Sequence, residues 1–130
     1  MIDKQKIKYP TIEEIVQANY TVIKEINVSR KDYHRIYHRD RIIKILEEMK
    51  KLEGDLYDKA VFLLKNLIIS HPFGSANRRT AYVVTHTFIW ENIGEAPHIK
   101  LEDEKFLEGI RHGWLGDEEV KLWLQGKKMK

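Results

Sequence analysis

Cysteine is absent from the 130-residue chain, which excludes a disulfide framework and any thiolate chemistry. Proline occurs three times and glycine seven times. So few breakers, with many charged residues, suit helices joined by short connections. No apolar run reaches the ~18 residues a membrane-spanning helix needs, so a membrane is not an expected partner. The opening stretch, Met1-Ile2-Asp3-Lys4-Gln5-Lys6, is too polar for a secretory signal, and the cytoplasm is the expected location. Neither charge sign dominates: 23 Lys and Arg against 20 Asp and Glu leave a net charge of +3. That balance can favour an anionic ligand but does not by itself imply nucleic acid. A hydrophobic content of 42% fits a globular chain with a real core. One domain is expected over residues 1–130, with 1–9 as a loose N-terminal arm or short edge strand and 126–130 as a basic tail that frays.

One polar stretch interrupts the most apolar part of the sequence. Tyr57 to Ile69 and Ala81 to Ile93 are rich in Leu, Ile, Val and Phe, and read as two central helices. Between them lies His71-Pro72-Phe73-Gly74-Ser75-Ala76-Asn77-Arg78-Arg79-Thr80. Pro72 disfavours helix at His71, so the first helix should stop there. Gly74, Ser75 and Ala76 are small enough for a ligand to approach the backbone. Asn77 reads as the N-cap of the next helix, whose unpaired amides favour an anion. Arg78 and Arg79 add two permanent cations suited to phosphate oxygens. His71 is the residue there able to accept a proton near neutral pH. These parts amount to a phosphate cradle with a base beside it. The plainer alternatives are a helix-terminal histidine bonding the last carbonyls and two solvated arginines. Phe73 anchors the loop in the core on either view.

The same residues resemble the signature of the Fic/Doc family, His-x-Phe-x-(Asp/Glu)-(Gly/Ala)-Asn-(Gly/Lys)-Arg, and are most similar to its Doc (death-on-curing) branch. His71, Phe73, Asn77 and Arg79 match its fixed positions; Ala76 and Thr80-Ala81 match Doc-type versions; Arg78 stands where Doc has Lys. The flanks, Asp55 to Ala60 and Phe88 to Gly94, are also similar, and the resemblance runs from about Tyr9 to Leu124. It implies an all-α bundle with two central helices flanking the motif loop. It further implies that His71 deprotonates a protein hydroxyl while Gly74, Ser75, Ala76, Asn77, Arg78 and Arg79 hold the phosphates of ATP. A phosphoryl group (or AMP) would pass to a protein substrate, and an antitoxin partner would restrain a toxin. The family's acidic, Mg²⁺-holding residue is Ser75 here, an uncharged and weaker ligand for a hard cation. The chain is therefore expected to be either a Doc-like transferase or a degenerate relative that binds nucleotide, phosphate or a partner without turnover.

The remaining segments are read from periodicity and caps. Thr11 with Glu14 forms a capping-box pattern for a first helix. A second helix is expected over Arg41 to Leu52, stopped at Gly54. Asp103 to Leu115 is read as a helix with Trp114 inward, and Glu118 to Leu124 as a last helix after an Asp117 cap. His86 reads as a structural histidine. Between the first two helices lies a small repeat, Tyr33-His34-Arg35 then Tyr37-His38-Arg39. If helical, its four-residue spacing stacks the two sets on one face. It can be a solvated basic face, a flap where a target docks (as the resemblance implies), or a zinc pair from His34 and His38, which lacks an evident third ligand. Nucleic acid, through Arg35, His38, Arg39, Arg41 and the tail, is not the expected partner.

Overall fold

The computed structural model of the chain describes residues 6–25, 33–94 and 104–126. These form six helices: α1 (Ile12–Glu25), α2 (Arg39–Lys51), α3 (Leu56–Ser70), α4 (Asn77–Ile93), α5 (Glu104–Arg111) and α6 (Asp117–Leu124). The all-helical architecture agrees with the expectation from the sequence. α3 and α4 pack against each other at the centre; α1 lies on α4, and α2, α5 and α6 lie on α3. Leu63, Leu64, Leu67 and Ile68 of α3 meet Ala81, Val84, Phe88 and Ile89 of α4 in one core that also takes Ile15, Ile42, Met49, Leu107, Ile110 and Val120. Each Leu, Ile, Val, Met or Phe among them contributes about 1.5–3 kcal/mol of burial free energy.

The helix starts follow capping chemistry. Thr11 Oγ1 accepts from Glu14 N at 3.1 Å and Thr11 N donates to Glu14 Oε1 at 3.3 Å. Asp55 and Asp58 close a reciprocal box on α3 at 2.9 Å each way. Lys121 of α6 reaches both carboxylates, at 3.2 and 2.9 Å, which holds the Asp58 carboxyl below its ordinary pKa. Lys59 is buried. Its ammonium donates to Met49 O and Leu52 O at 2.9 and 2.8 Å, closing the C-terminus of α2 with a cation as the helix dipole favours.

Four expectations are corrected. The described part of the N-terminal arm is not loose: Lys8 exchanges two backbone bonds with the Asn92 side chain, and Tyr9 stacks on Phe88 at 6.2 Å. α5 ends at Arg111 rather than Leu115, because the chain turns at Gly113 with φ 75°. Trp114 consequently points outward, 71% exposed, with its ring stacked on His112 at 4.7 Å. Gly116, not Asp117, is the N-cap of α6. Residues 127–130 of the tail lie outside the described residues.

Candidate functional site

The loop between α3 and α4 is bracketed by two left-handed residues. His71, the C-cap of α3, has φ 52° and ψ 56°, and Ala76, the N-cap of α4, has φ 61° and ψ 32°. They are the positive-φ residues other than glycine among those described. Each costs an L-residue roughly 1–2 kcal/mol, so the bend needs support.

That support comes from Asn77. Its Oδ1 accepts from Phe73 N and its Nδ2 donates to Phe73 O, both at 2.9 Å. Phe73 is itself buried at 1% exposure, so one buried amide satisfies a buried peptide on both sides. This corrects the reading of Asn77 as N-cap. It is the first helical residue, and its side chain holds the loop's shape from inside. The first intrahelical bond of α4 runs from Thr80 N to Ala76 O at 2.9 Å. The amides of residues 77–79 thus precede the helix ladder, at the positive end of the dipole.

His71, Ser75, Ala76, Asn77, Arg78 and Arg79 line one cleft of about 210 Å³, and Arg111 from the last turn of α5 joins them. Partial burial of the His71 ring lowers its pKa below the ordinary 6.5, and the Arg111, Arg78 and Arg41 cations lower it further. Arg41 stands close because its guanidinium donates to Ser70 O, the terminal carbonyl of α3, at 2.5 Å.

Residues 33–38 are irregular, not helical, so the Tyr-His-Arg repeat does not stack on a helix face. Ile36 pairs antiparallel with Phe73. Gly74 N donates to Arg35 O at 2.8 Å, and Pro72 O accepts from Tyr37 N at 2.9 Å and His38 N at 3.1 Å. Tyr33 and Tyr37 nevertheless come together, their hydroxyls meeting at 2.9 Å. Arg35 lies over the Tyr37 ring at 5.6 Å. Arg39 is the first residue of α2 and pairs with Glu13 at 3.6 Å.

Gly74 has a different reason than ligand approach. A Cβ there would sit 2.5 Å from Cε2 of Tyr33, so the missing side chain admits the flap's ring against the loop. Gly74→Ala is expected to displace Tyr33 while leaving the core intact. The check is loss of protection at the amides of Gly74 and Tyr37 in hydrogen exchange, with an unchanged melting temperature; full retained protection would contradict it.

Asn19 joins these parts and was not singled out by sequence. It is buried on α1, and its Nδ2 donates to Ser75 O at 2.9 Å and Thr80 Oγ1 at 3.0 Å. Oδ1 is left as the acceptor, so His34 Nδ1, at 2.8 Å, carries the proton and donates. A signal existed: Ile15, Asn19 and Val22 fall on one stripe of α1, and an amide in an apolar stripe calls for buried partners. Arg111 left no comparable signal. It reads as an ordinary basic residue in a helix's last turn.

The sequence model of the Fic/Doc family matches residues 7–89, which takes in α1 to α3, the flap, the loop and most of α4. The chain belongs to the Fic/Doc family. Among curated proteins, none matches it. Membership in Fic/Doc points in general terms to a nucleotide-using transferase. Arg111 lies beyond the matched residues, so α5 adds to the Fic/Doc loop a cation that the match does not include. No helix among the described residues is long and apolar enough to cross a membrane.

Proposed function

We propose that this chain is a Doc-like transferase that moves the γ-phosphoryl group of ATP onto a hydroxyl of another protein. The observation that carries the reading is the joint presence of His71 and three guanidinium groups in one cleft at the start of α4. His71 removes the proton of the incoming hydroxyl. The hydroxyl oxygen bonds to the γ-phosphorus as the bond to the β–γ bridging oxygen breaks, and ADP leaves with the electron pair. Arg79, Arg78 and the amides at the head of α4 hold the phosphate oxygens and oppose their charge. Arg78, a long cation where Doc has Lys, favours this direction over AMP transfer. The Tyr33–Arg39 flap is the surface on which the target would dock.

Mg²⁺ does not fit the residues present. The described residues lining the cleft include the Ser75 hydroxyl but no carboxylate, whereas Mg²⁺ is ordinarily held through one or two carboxylates. No step above passes through a metal. The same observation supports a second reading, a nucleotide or phosphate binder without turnover.

The experiment uses ATP labelled in parallel at the α and γ positions, incubated with a cell extract. Label transferred from γ supports the kinase reading, and transfer from α marks AMP transfer instead. If the native chain transfers neither while Ser75→Asp with Mg²⁺ transfers phosphate, the native protein is a binder. As a toxin it should arrest growth when expressed alone and co-purify with a small acidic antitoxin; a harmless, stable product would count against that role.

His71 sets the pH dependence. Its pKa lies below 6.5, so the imidazole is neutral and able to act as a base at pH 7. The acid limb of kcat/KM, which reports the free enzyme, is expected below pH 6.5. Arg111→Gln removes one of the depressing cations and should move that limb upward. A limb above pH 6.5 in the native enzyme, or one moved downward by Arg111→Gln, contradicts the assignment.

A further inference from the structure

The charged groups fixed around the cleft all carry one sign. Arg78 and Arg79 come from α4 and Arg111 from α5, with His71 beside them and the Ser75 hydroxyl as a neutral polar group. A divalent cation brought here would meet three guanidiniums and no carboxylate. A polyphosphate chelated by Mg²⁺ would bring two fewer negative charges, with some of its oxygens already occupied. Guanidinium groups bind those same oxygens in a planar, bidentate fashion, so arginine and metal compete for one surface of the ligand. The cleft, at about 210 Å³, is smaller than the ~300–1,000 Å³ of pockets that enclose a whole ligand. It is sized for the phosphate part alone.

From this we infer that the cleft is a metal-independent polyanion site, selective for the uncomplexed form of a di- or triphosphate. Arg111 supplies from outside the family-matched residues the positive charge a divalent cation would otherwise bring. The inference rests on the phosphate-cradle reading above and adds the form of the ligand and the residue that selects it. Arg111 is exposed, so its replacement leaves the core untouched.

The test is calorimetric titration with ATP and, separately, inorganic tripolyphosphate, each in EDTA and in excess Mg²⁺. Both ligands are expected to bind in EDTA, and Mg²⁺ is expected not to tighten either. Arg111→Gln should weaken metal-free binding about ten- to a hundredfold, the range for loss of a charge-assisted hydrogen bond, and Arg111→Lys should recover part of it. Ser75→Asp should weaken metal-free binding and make affinity respond to Mg²⁺. Binding seen only with Mg²⁺, or equal affinity of Arg111→Gln and native protein while Arg79→Ala loses binding, overturns this inference and leaves the cradle standing. No binding of either ligand in either buffer overturns the cradle and this inference together.

Discussion

Replacing His71 by asparagine is expected to lower transfer to a protein hydroxyl by about two to four orders of magnitude, the usual worth of a positioned general base. Asparagine is the informative choice. His71 sits at φ 52°, and Asn tolerates the left-handed region better than Ala does, so the bend survives while the titrating ring is lost. ATP affinity should stay within a few-fold of native, because the arginines and the head of α4 are untouched. Such a pattern, lower kcat with little change in binding, marks an interaction made in the transition state. Steady-state kinetics with labelled ATP and calorimetry on the same preparation check it. A variant retaining a tenth or more of native turnover would remove His71 from the chemistry.

Asn77→Ala should have the larger effect on structure and an equal one on function. Both hydrogen bonds to Phe73 are lost, leaving a buried N–H and a buried C=O without their partner. Unsatisfied groups of this kind cost about 1–3 kcal/mol each, so a loss of roughly 2–6 kcal/mol is expected in urea denaturation. The loop between His71 and Ala76 then loses its internal brace and keeps only the bonds from the flap and from Asn19 against its two left-handed residues, and nucleotide affinity should vanish. Arg79→Ala should abolish affinity with little loss of stability, because it removes charge rather than shape. Unchanged calorimetric affinity for ATP in both variants would refute the cradle.

The contrast between Asn77 and Arg79 also marks where the sequence was legible. The helices were readable because Thr11, Asp55, Gly54 and Gly94 carry local capping chemistry and because α3 and the Ala81–Ile93 part of α4 are rich in Leu, Ile, Val and Phe. The loop was readable as a site because its residue types and spacing match a family signature. What those residues do to one another was less legible. Asn77 looked like a cap because Asn caps helices by preference; in the fold its amide turns back to Phe73 instead, a choice no local pattern records. The four-residue spacing of the flap's repeat would stack its two sets on one face of a helix; residues 33–38 form none, and Tyr33 and Tyr37 meet all the same. Arg111 and Asn19 act across helices distant in sequence, and local patterns hold no record of such meetings. Trp114 was misplaced because the apolar period of α5 continues past Arg111 in the sequence, while Gly113 turns the chain away.

Asn19 ties the loop, α4 and the flap to a single amide. With its donor held by Ser75 O and Thr80 Oγ1 and its acceptor by His34, flap displacement strands one lone pair without directly breaking either contact toward the loop. The flap's own bonds to the loop, with Gly74 N donating to Arg35 O and Pro72 O accepting from Tyr37 N and His38 N, would however break with it, so lifting residues 33–38 reaches the bend directly. Flap and loop are therefore mechanically coupled, and whatever displaces one is transmitted to the other, while the anchor on α1 keeps its grip on Ser75 and Thr80.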